Sequence, residues 1–167
     1  MKIDPAELDR KRNYFLLISA LVPRPIAWVT SRSAAGAVNR APFSFVQGVG
    51  SSPPTLMLAF ARRRDGSPKD TPANILETGE FVVNISREDQ APLVEASAAD
   101  LPPEVSEAER LGLELLPSEK VAPPRLAASP VSLECRLLEH LEISGSTVLF
   151  GEVLLYHLAE EVLDERG

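Results

Sequence analysis

Two runs near the end of the chain alternate apolar and polar residues with the two-residue period of a half-buried β-strand. Every second residue is apolar in residues 131–137, and a similar run covers residues 147–157. The connection between them, residues 142–146, contains Gly145 and is short enough for an antiparallel hairpin. The pattern therefore predicts two strands that pair through a tight turn.

The first half of the chain predicts further strands. Residues 26–30 are rich in residues with high β-propensity, and a turn at Gly36 predicts that the chain then returns as a second strand. Residues 55–60 place apolar side chains on both faces, which indicates a buried strand. Another strand is predicted for residues 80–85.

Capping signals predict helices between these strands. Asp4 and the proline that follows it are typical of the start of a short opening helix. Residues 62–70 read as an exposed loop, and Thr71 predicts the N-cap of a second helix, with Pro72 at its first position. Gly79 is placed to end that helix.

A third capping signal, Ser86 with Asp89, predicts a helix that runs toward Ala98. Prolines cluster in residues 101–130, which predicts an irregular excursion. Strands joined by short turns, with helices inserted between some of them, favour an antiparallel barrel over a repeating βαβ sheet. We therefore expect a mainly β fold with helical insertions, formed by residues 1–167 as a single domain.

Composition narrows the class of protein. Of 167 residues, 44% are hydrophobic and 25% are charged, as in an ordinary globular domain, and no apolar run is long enough to span a membrane. The N-terminus carries no secretion signal, so we expect a cytoplasmic protein. The formal net charge of -7 disfavours binding to nucleic acid or to an anionic membrane, because both would repel the protein.

A few conspicuous residues have ordinary explanations. The single cysteine, Cys135, excludes an internal disulfide, and two histidines, His140 and His157, offer no metal cluster of familiar spacing. We expect Cys135 to be a small buried side chain and both histidines to be structural or exposed. Trp28 is expected in the core, and the run 62–64 of three arginines is expected in a solvated loop, with attraction of the NADPH 2′-phosphate as the alternative.

Two segments concentrate polar groups in apolar surroundings. The first, residues 23–46, ends a predicted strand with two hydroxyl groups and returns with an amide, a third hydroxyl and backbone N–H groups. The second, residues 69–74, places a cation and a hydroxyl at a predicted helix N-terminus, where unpaired N–H groups and the helix dipole favour an anion. Together they have the composition of a site for a phosphorylated ring compound.

Both segments resemble the flavin-reductase-like FMN-binding family, which includes the flavoredoxins. The resemblance is carried, in order and spacing, by residues 23–31, 39–45, 53–54, 69–71 with Asn74, and 80–85, and more weakly by residues 151–153. It implies an FMN-binding split β-barrel that forms a homodimer, with FMN near the subunit interface and most of the pocket between Trp28 and Asn74. The redox chemistry would belong to the flavin, so no catalytic side chain is assigned.

The resemblance also implies roles for individual residues. Two hydroxyls would approach the flavin or its phosphate, and four residues would line the ribityl chain and the ring. A cation and a third hydroxyl would hold the phosphate, and two more polar residues would shape that loop. The two hydroxyls near the flavin would be Thr30 and Ser31, and the residues along the ribityl chain and ring would be Asn39, Ala41, Ser44 and Phe45. Lys69 and Thr71 would hold the phosphate, and Asp70 and Asn74 would shape the loop.

Departures from the family pattern leave the reaction open. Residues 144–146 read Ser-Gly-Ser where members that use NAD(P)H often carry Gly-Asp-His, so the nicotinamide-side histidine is missing. Residues 46–48, at an expected turn, read Val-Gln-Gly where relatives often show Phe-Asn-Ala, so contacts there would differ. Longer relatives continue beyond the last strand with a segment that helps to cover the ligand. We expect that part of the cover to be either absent here or supplied by the partner subunit.

Three functions therefore compete. The first is an FMN-dependent oxidoreductase that takes hydride from NAD(P)H and passes electrons to a free flavin, a partner monooxygenase or another small acceptor. The second is an FMN electron carrier that shuttles electrons between protein partners without oxidising NAD(P)H directly. The third is a structural or sensory barrel without a ligand.

Overall fold

A curved antiparallel sheet organises the computed structural model, which describes residues 1–63, 65–97 and 113–165. Its seven strands lie in the order β2-β1-β5-β8-β9-β4-β3, and two short strands, β6 and β7, form a separate pair. The strands are β1 (Ala27–Arg32), β2 (Val38–Phe43), β3 (Val46–Ser51), β4 (Pro54–Ala61), β5 (Glu80–Ile85), β6 (Leu115–Leu116), β7 (Arg125–Leu126), β8 (Val131–Ile143) and β9 (Ser146–Leu158). The helices are α1 (Arg10–Ala20), α2 (Asp70–Thr78) and α3 (Ala91–Ala96).

The two edges of this sheet are consecutive in the chain. Strands β2 and β3 occupy opposite ends of the strand order, yet only Ser44 and Phe45 separate them. The rings of Phe43 and Phe60 pack edge to face with centroids 4.5 Å apart, which joins the end of β2 to β4. The sheet therefore closes on itself as a split barrel, which confirms the mainly β, antiparallel prediction.

The predicted strands 26–30, 55–60 and 80–85 are present as β1, β4 and β5. The predicted C-terminal hairpin is also present, and its turn residues Ser144 and Gly145 both have positive φ, as a two-residue type I′ turn requires.

Strand β3 corrects the prediction of a turn at residues 46–48. That segment pairs with β4 in the register Val46↔Leu58 and Gly48↔Leu56. Its glycines and glutamine carry no strand signal, and pairing with the neighbouring strand overrides their low β-propensity.

The opening helix is divided into two pieces. Asp4 caps only a single 3₁₀ turn, Pro5–Glu7, where its Oδ1 accepts a hydrogen bond from the Ala6 N–H at 2.9 Å. Helix α1 follows, and it is capped by Asp9, whose Oδ1 accepts from the Arg12 N–H at 2.7 Å. The predicted cap is therefore real, but the longer helix starts at the next aspartate.

Helix α2 starts before the predicted N-cap, so that assignment of Thr71 is wrong. Lys69 is the N-cap and Thr71 lies inside the first turn, where its Oγ1 accepts from Asn39 Nδ2 at 2.7 Å. A tertiary hydrogen bond thus occupies the hydroxyl that would otherwise cap the helix. Gly79 ends the helix as predicted, with a φ of 76°.

The third helical region consists of a 3₁₀ turn, Glu88–Gln90, and α3. The backbone N–H of Arg87 donates to Gln90 Oε1 at 2.8 Å, so the capping group is Gln90 rather than Ser86 or Asp89. The predicted end at Ala98 and part of the predicted excursion lie outside the described residues. Among the described helices, none is long and apolar enough to cross a bilayer.

Apolar side chains on the concave face of the sheet form the core. The fully or nearly buried members are Ala27, Val29, Phe43, Leu56, Leu58, Phe60, Ile75, Phe81, Val83, Cys135, Leu149 and Val153. Burial, and then the nearby charge of Glu134, raise the pKa of the Cys135 thiol, so this cysteine stays protonated at neutral pH. Ile75 lets α2 close one end of the barrel.

Residues 113–130 cover the convex face of β1 and β5. Asn84 anchors this excursion: its Nδ2 donates to the Trp28 carbonyl at 2.9 Å, and its Oδ1 accepts from the Leu126 N–H at 2.9 Å. Trp28 is buried there, as predicted for a core aromatic, with the Arg40 guanidinium 5.3 Å from its ring centroid. A buried amide therefore satisfies backbone groups of both layers.

Glu134 provides a second anchor for the excursion. This fully buried carboxylate accepts from the backbone N–H groups of Glu119 and Lys120, at 2.9 and 2.6 Å, and lies 2.6 Å from His157 Nε2. Burial alone would raise the pKa of Glu134, but the hydrogen bonds from Glu119, His157 and Lys120 outweigh it and hold the pKa below its usual range. His157 is thus structural, as predicted.

Gly151 leaves room for the ring of Phe81, and we expect Gly151→Ala to destabilise the protein. A Cβ there would lie 3.0 Å from Phe81 Cε1 and closer still to Cζ, and the fully buried Phe81 ring has little space to move away. Overpacking of this kind costs about 1–3 kcal/mol, which urea denaturation would measure. Gly48→Ala is the control, because its Cβ meets nothing within 4 Å. Equal midpoints for the two variants would contradict this account.

Candidate functional site

A polar cluster lies where the end of β1 meets α2. It consists of Ser31, Asn39, Thr71 and Asn74. Ser31 and Asn39 are directly paired across β1 and β2, and α2 contributes the other two residues. Asn39 Nδ2 donates to Thr71 Oγ1 at 2.7 Å and lies 3.5 Å from Ser31 Oγ, while Asn74 Nδ2 donates to Ser31 Oγ at 3.2 Å. Two amides thus orient two hydroxyls.

The protons of these two hydroxyls have no acceptor in the part of the chain that the structure describes. Ser31 and Thr71 are 0% and 1% exposed, and both oxygens act only as acceptors in the described hydrogen bonds. A hydroxyl carries one donor as well as its lone pairs, and buried donors are nearly always satisfied. The polar cluster is therefore suited to an acceptor-rich ligand group, such as a phosphate.

Lys69, two residues before Thr71, adds positive charge near Phe43. It is the N-cap of α2, it is partly buried, and its Nζ lies 5.4 Å from the centroid of the Phe43 ring. The side chain of Lys69 makes no capping hydrogen bond, so the first-turn N–H groups of α2 lack a cap from this residue. The ammonium and the helix dipole both favour an anion.

Asp70, in the first turn of α2, forms an ion pair with Arg63. Its Oδ2 accepts from Arg63 Nη2 at 2.7 Å, which neutralises a carboxylate that would otherwise repel an anion at the helix N-terminus. Arg62 pairs with Glu142 at 3.1 Å. These ion pairs favour the interpretation of residues 62–64 as a solvated loop, although Arg64 lies outside the described residues.

Ser44 and Phe45 form the kink between β2 and β3, and Arg24 contacts both. Arg24 Nε donates to Ser44 Oγ at 3.4 Å, and the guanidinium carbon lies 5.9 Å from the centroid of the Phe45 ring. Hydrogen bonds from Arg24 Nη1 to the carbonyls of Ile18 and Leu21 hold the side chain in place. Lys69 and Arg24 therefore flank the segment from Phe43 to Phe45.

Sequence reasoning missed Arg24 as a site residue. A signal was present, because Arg24 stands between two prolines, which restrict the backbone around it. Its contact with Phe45 depends on the carbonyls of Ile18 and Leu21 that hold the guanidinium, and no local pattern predicts that arrangement.

Thr30 does not join the polar cluster. Adjacent residues of a strand point to opposite faces, and Thr30 faces the excursion, where its Oγ1 donates to the Pro124 carbonyl at 2.5 Å and accepts from Asn84 Nδ2 at 3.4 Å. Ala41 is half-buried opposite Val29 and packs against the core. The structure thus brings together Ser31, Asn39, Thr71 and Asn74, places Lys69, Ser44 and Phe45 beside Phe43, and separates Thr30.

Comparison of the sequence with known proteins identifies the family of this chain. Residues 19–166 match the model of the flavin reductase like domain. A protein of Halalkalibacterium halodurans, BH2278, is 44% identical over all of this chain and 83% of its own length.

Solved structures agree with that match. Nitrilotriacetate monooxygenase component B from Bacillus cereus is 35% identical, with a TM-score of 0.93 over 99% of this chain and 84% of its own. The 2-nitrobenzoate 2-nitroreductase NbaA from Pseudomonas fluorescens is 34% identical, with a TM-score of 0.88 over 99% of this chain and 80% of its own. A flavin-reductase-type split-barrel protein from Shewanella frigidimarina has a TM-score of 0.86 over 100% of this chain and 84% of its own; at 19% identity it shows the shared fold alone.

Proposed function

The chain belongs to the flavin-reductase-like family, and on that premise we propose that it is an FMN-binding oxidoreductase that accepts hydride from NAD(P)H. The observation that carries the proposal is the polar cluster. There Asn39 and Asn74 donate to the hydroxyl oxygens of Thr71 and Ser31, and the protons of these two buried hydroxyls have no acceptor among the described residues. The electron acceptor would be a small molecule or a partner protein.

The donors at this end of the barrel fit a phosphate monoester. Ser31 and Thr71 would donate their hydroxyl protons to phosphate oxygens, and Lys69 would supply the countercharge. Charge-assisted hydrogen bonds of this kind are shorter and stronger than neutral ones. The ion pair of Asp70 with Arg63 reduces the repulsion that a free carboxylate would exert.

The kink between β2 and β3 would face the isoalloxazine ring. Ser44 and Phe45 offer a hydroxyl, backbone groups and an aromatic face, and Arg24 adds a fixed positive charge. Positive charge beside a flavin favours its reduced form, so Arg24 would raise the reduction potential. Bound FMN would itself supply the hydride and electron transfer.

An electron carrier is the second candidate, and one feature favours it. The β8–β9 turn consists of Ser144 and Gly145, so the histidine that often accompanies NAD(P)H use in this family has no counterpart there. The similarity to a monooxygenase component and to a nitroreductase supports the reductase as the first candidate.

We also propose that the protein forms a homodimer through α1. The helix has no buried residue, and its apolar side chains Tyr14, Phe15, Leu16 and Leu17 are each about half exposed. Monomers rarely expose contiguous apolar patches of this kind, and a second copy of the same chain is the commonest partner. A cytoplasmic location stays a prediction from the sequence.

Lys69→Ala should weaken FMN binding by about 1–3 kcal/mol, or roughly 5- to 150-fold in Kd, because a charged partner of the phosphate is lost. Quenching of FMN fluorescence would measure the Kd. Lys120→Ala, which removes the same charge from the excursion, is the matched control and should leave the Kd unchanged. An unaltered Kd in Lys69→Ala would refute the phosphate role.

NADH or NADPH should bleach the visible absorption band of the FMN-loaded protein in stopped-flow mixing, because direct hydride transfer reduces the flavin. Dithionite serves as a control that shows the bound flavin is reducible. Bleaching by dithionite but not by either nicotinamide would reject the reductase and favour the carrier.

Phe15→Glu should shift the protein from dimer to monomer in sedimentation velocity, because a charge would be buried in an apolar interface. Arg10→Glu, at the first position of the same helix, should leave the dimer intact. A wild-type protein that sediments as a monomer at every concentration would remove the dimer proposal.

A further inference from the structure

A cavity of about 400 Å³ opens at the end of the barrel opposite α2. Helix α2 contacts the end of β1 that carries Ser31, whereas the cavity wall includes Ile85, which pairs with Ala27 at the other end of that strand. None of the residues assigned to FMN from the sequence lines this cavity. It is therefore distinct from the polar cluster, and it adjoins the kink between β2 and β3, since Pro25 follows Arg24 and Val46 follows Phe45.

Two glycines on the edge strand β3 create the space. Val46 and Gly48 pair with Leu58 and Leu56, so both positions face the barrel interior, and Gly50 follows opposite Thr55 after a register shift. A Cβ on Gly48 would meet nothing within 4 Å, and one on Gly50 would make only ordinary contacts. The cavity thus exists because inward positions of β3 lack side chains, and the open backbone allows a ligand to approach closely.

The cavity wall is apolar, and polar groups are confined to a few positions. Leu56, Val83, Ile85, Leu133 and Val153 contribute aliphatic surface. Thr55 and Tyr156 carry hydroxyl groups, and Gln47 also borders the cavity. The Thr55 hydroxyl already donates to the Pro53 carbonyl at 2.9 Å. Gln47 lies between the inward-facing Val46 and Gly48, so its side chain is on the other face of β3, and the hydroxyl of Tyr156 is the polar group best placed to orient a guest.

No charged side chain is found among the described residues that line the cavity. An anion or cation bound here would lose its hydration without gaining a counterion, which is strongly unfavourable. A volume of about 400 Å³ lies within the range of about 300–1,000 Å³ for small-molecule pockets. The volume and the absence of charged side chains among the described lining residues both favour a compact, neutral guest.

We propose that this cavity binds an uncharged, compact, largely apolar small molecule with one polar substituent that reaches the hydroxyl of Tyr156. The proposal rests on the cavity alone and does not require the flavin assignment. The barrel then has two chemically different ends: donors for an anion beside α2, and an apolar chamber beneath β3.

The probe that tests the proposal is 2-naphthol, which is neutral at pH 7, with 2-naphthoate as a charged molecule of the same shape. Fluorescence titration should show saturable binding of one 2-naphthol per chain, and 2-naphthoate should bind at least about tenfold more weakly because its charge is desolvated without a partner. Equal binding of the two probes would overturn the assignment of a neutral guest.

A graded series at position 48 locates the binding. Gly48→Ala, Gly48→Val and Gly48→Leu should raise the 2-naphthol Kd stepwise, to at least about tenfold for leucine, because each side chain fills more of the cavity. Val49→Leu, on the other face of the same strand, is the control and should bind as the wild type does. Gly48→Ala is expected to fold normally, so the series remains informative if the larger variants do not.

The titration is repeated with FMN-saturated protein. Retained 2-naphthol binding supports a separate site, whereas its loss, together with weaker FMN binding in Gly48→Leu, would assign the cavity to the flavin and overturn the proposal. Absence of saturable 2-naphthol binding to the wild type would also overturn it. If sedimentation then showed that Gly48→Leu alters dimerisation, a second copy of the chain would be the occupant instead.

Discussion

Closure of the sheet by two consecutive strands is the constraint on which the rest of the structure depends. Because β2 and β3 form opposite edges and are joined by Ser44 and Phe45, the chain must turn sharply at that point for the barrel to exist. The Phe43–Phe60 ring contact and the hydrogen bond from the Ala59 N–H to the Phe45 carbonyl, at 2.9 Å, fix the turn. Among the described strands, β2 and β3 do not pair with each other, so the barrel stays split along these two short edges.

The same closure positions both candidate binding regions. Strand β2 carries Asn39 to α2 at one end of the barrel, and β3 carries its glycines to the other. The kink between them lies beside Arg24, and Lys69 lies over the ring of Phe43. Two basic side chains thus flank the point where the sheet closes, in a chain whose formal net charge is -7. An anionic ligand would be attracted to a local feature rather than to the overall field.

Much of this arrangement follows from local sequence. Alternation in residues 131–137 and 147–157 predicts the long hairpin, and Gly145 and Gly79 mark a turn and a helix end, because these patterns report burial and backbone conformation directly. Four members of the polar cluster could be assigned by resemblance, although their hydrogen bonds could not. Strand β3 was missed because its glycines and glutamine form a strand only by pairing with β4. The assignment of Thr71 as an N-cap failed because Asn39, which is distant in sequence, hydrogen-bonds to the Thr71 hydroxyl.

The carboxylate of Glu134 holds the excursion by its main chain alone, since the bonds come from the backbone N–H groups of Glu119 and Lys120. These hydrogen bonds constrain the backbone of the loop and do not depend on the side chains of Glu119 and Lys120. The side chains at Glu119 and Lys120 can therefore vary while the attachment persists, whereas Glu134 and the buried side chains of Val121 and Leu126 have little freedom to change.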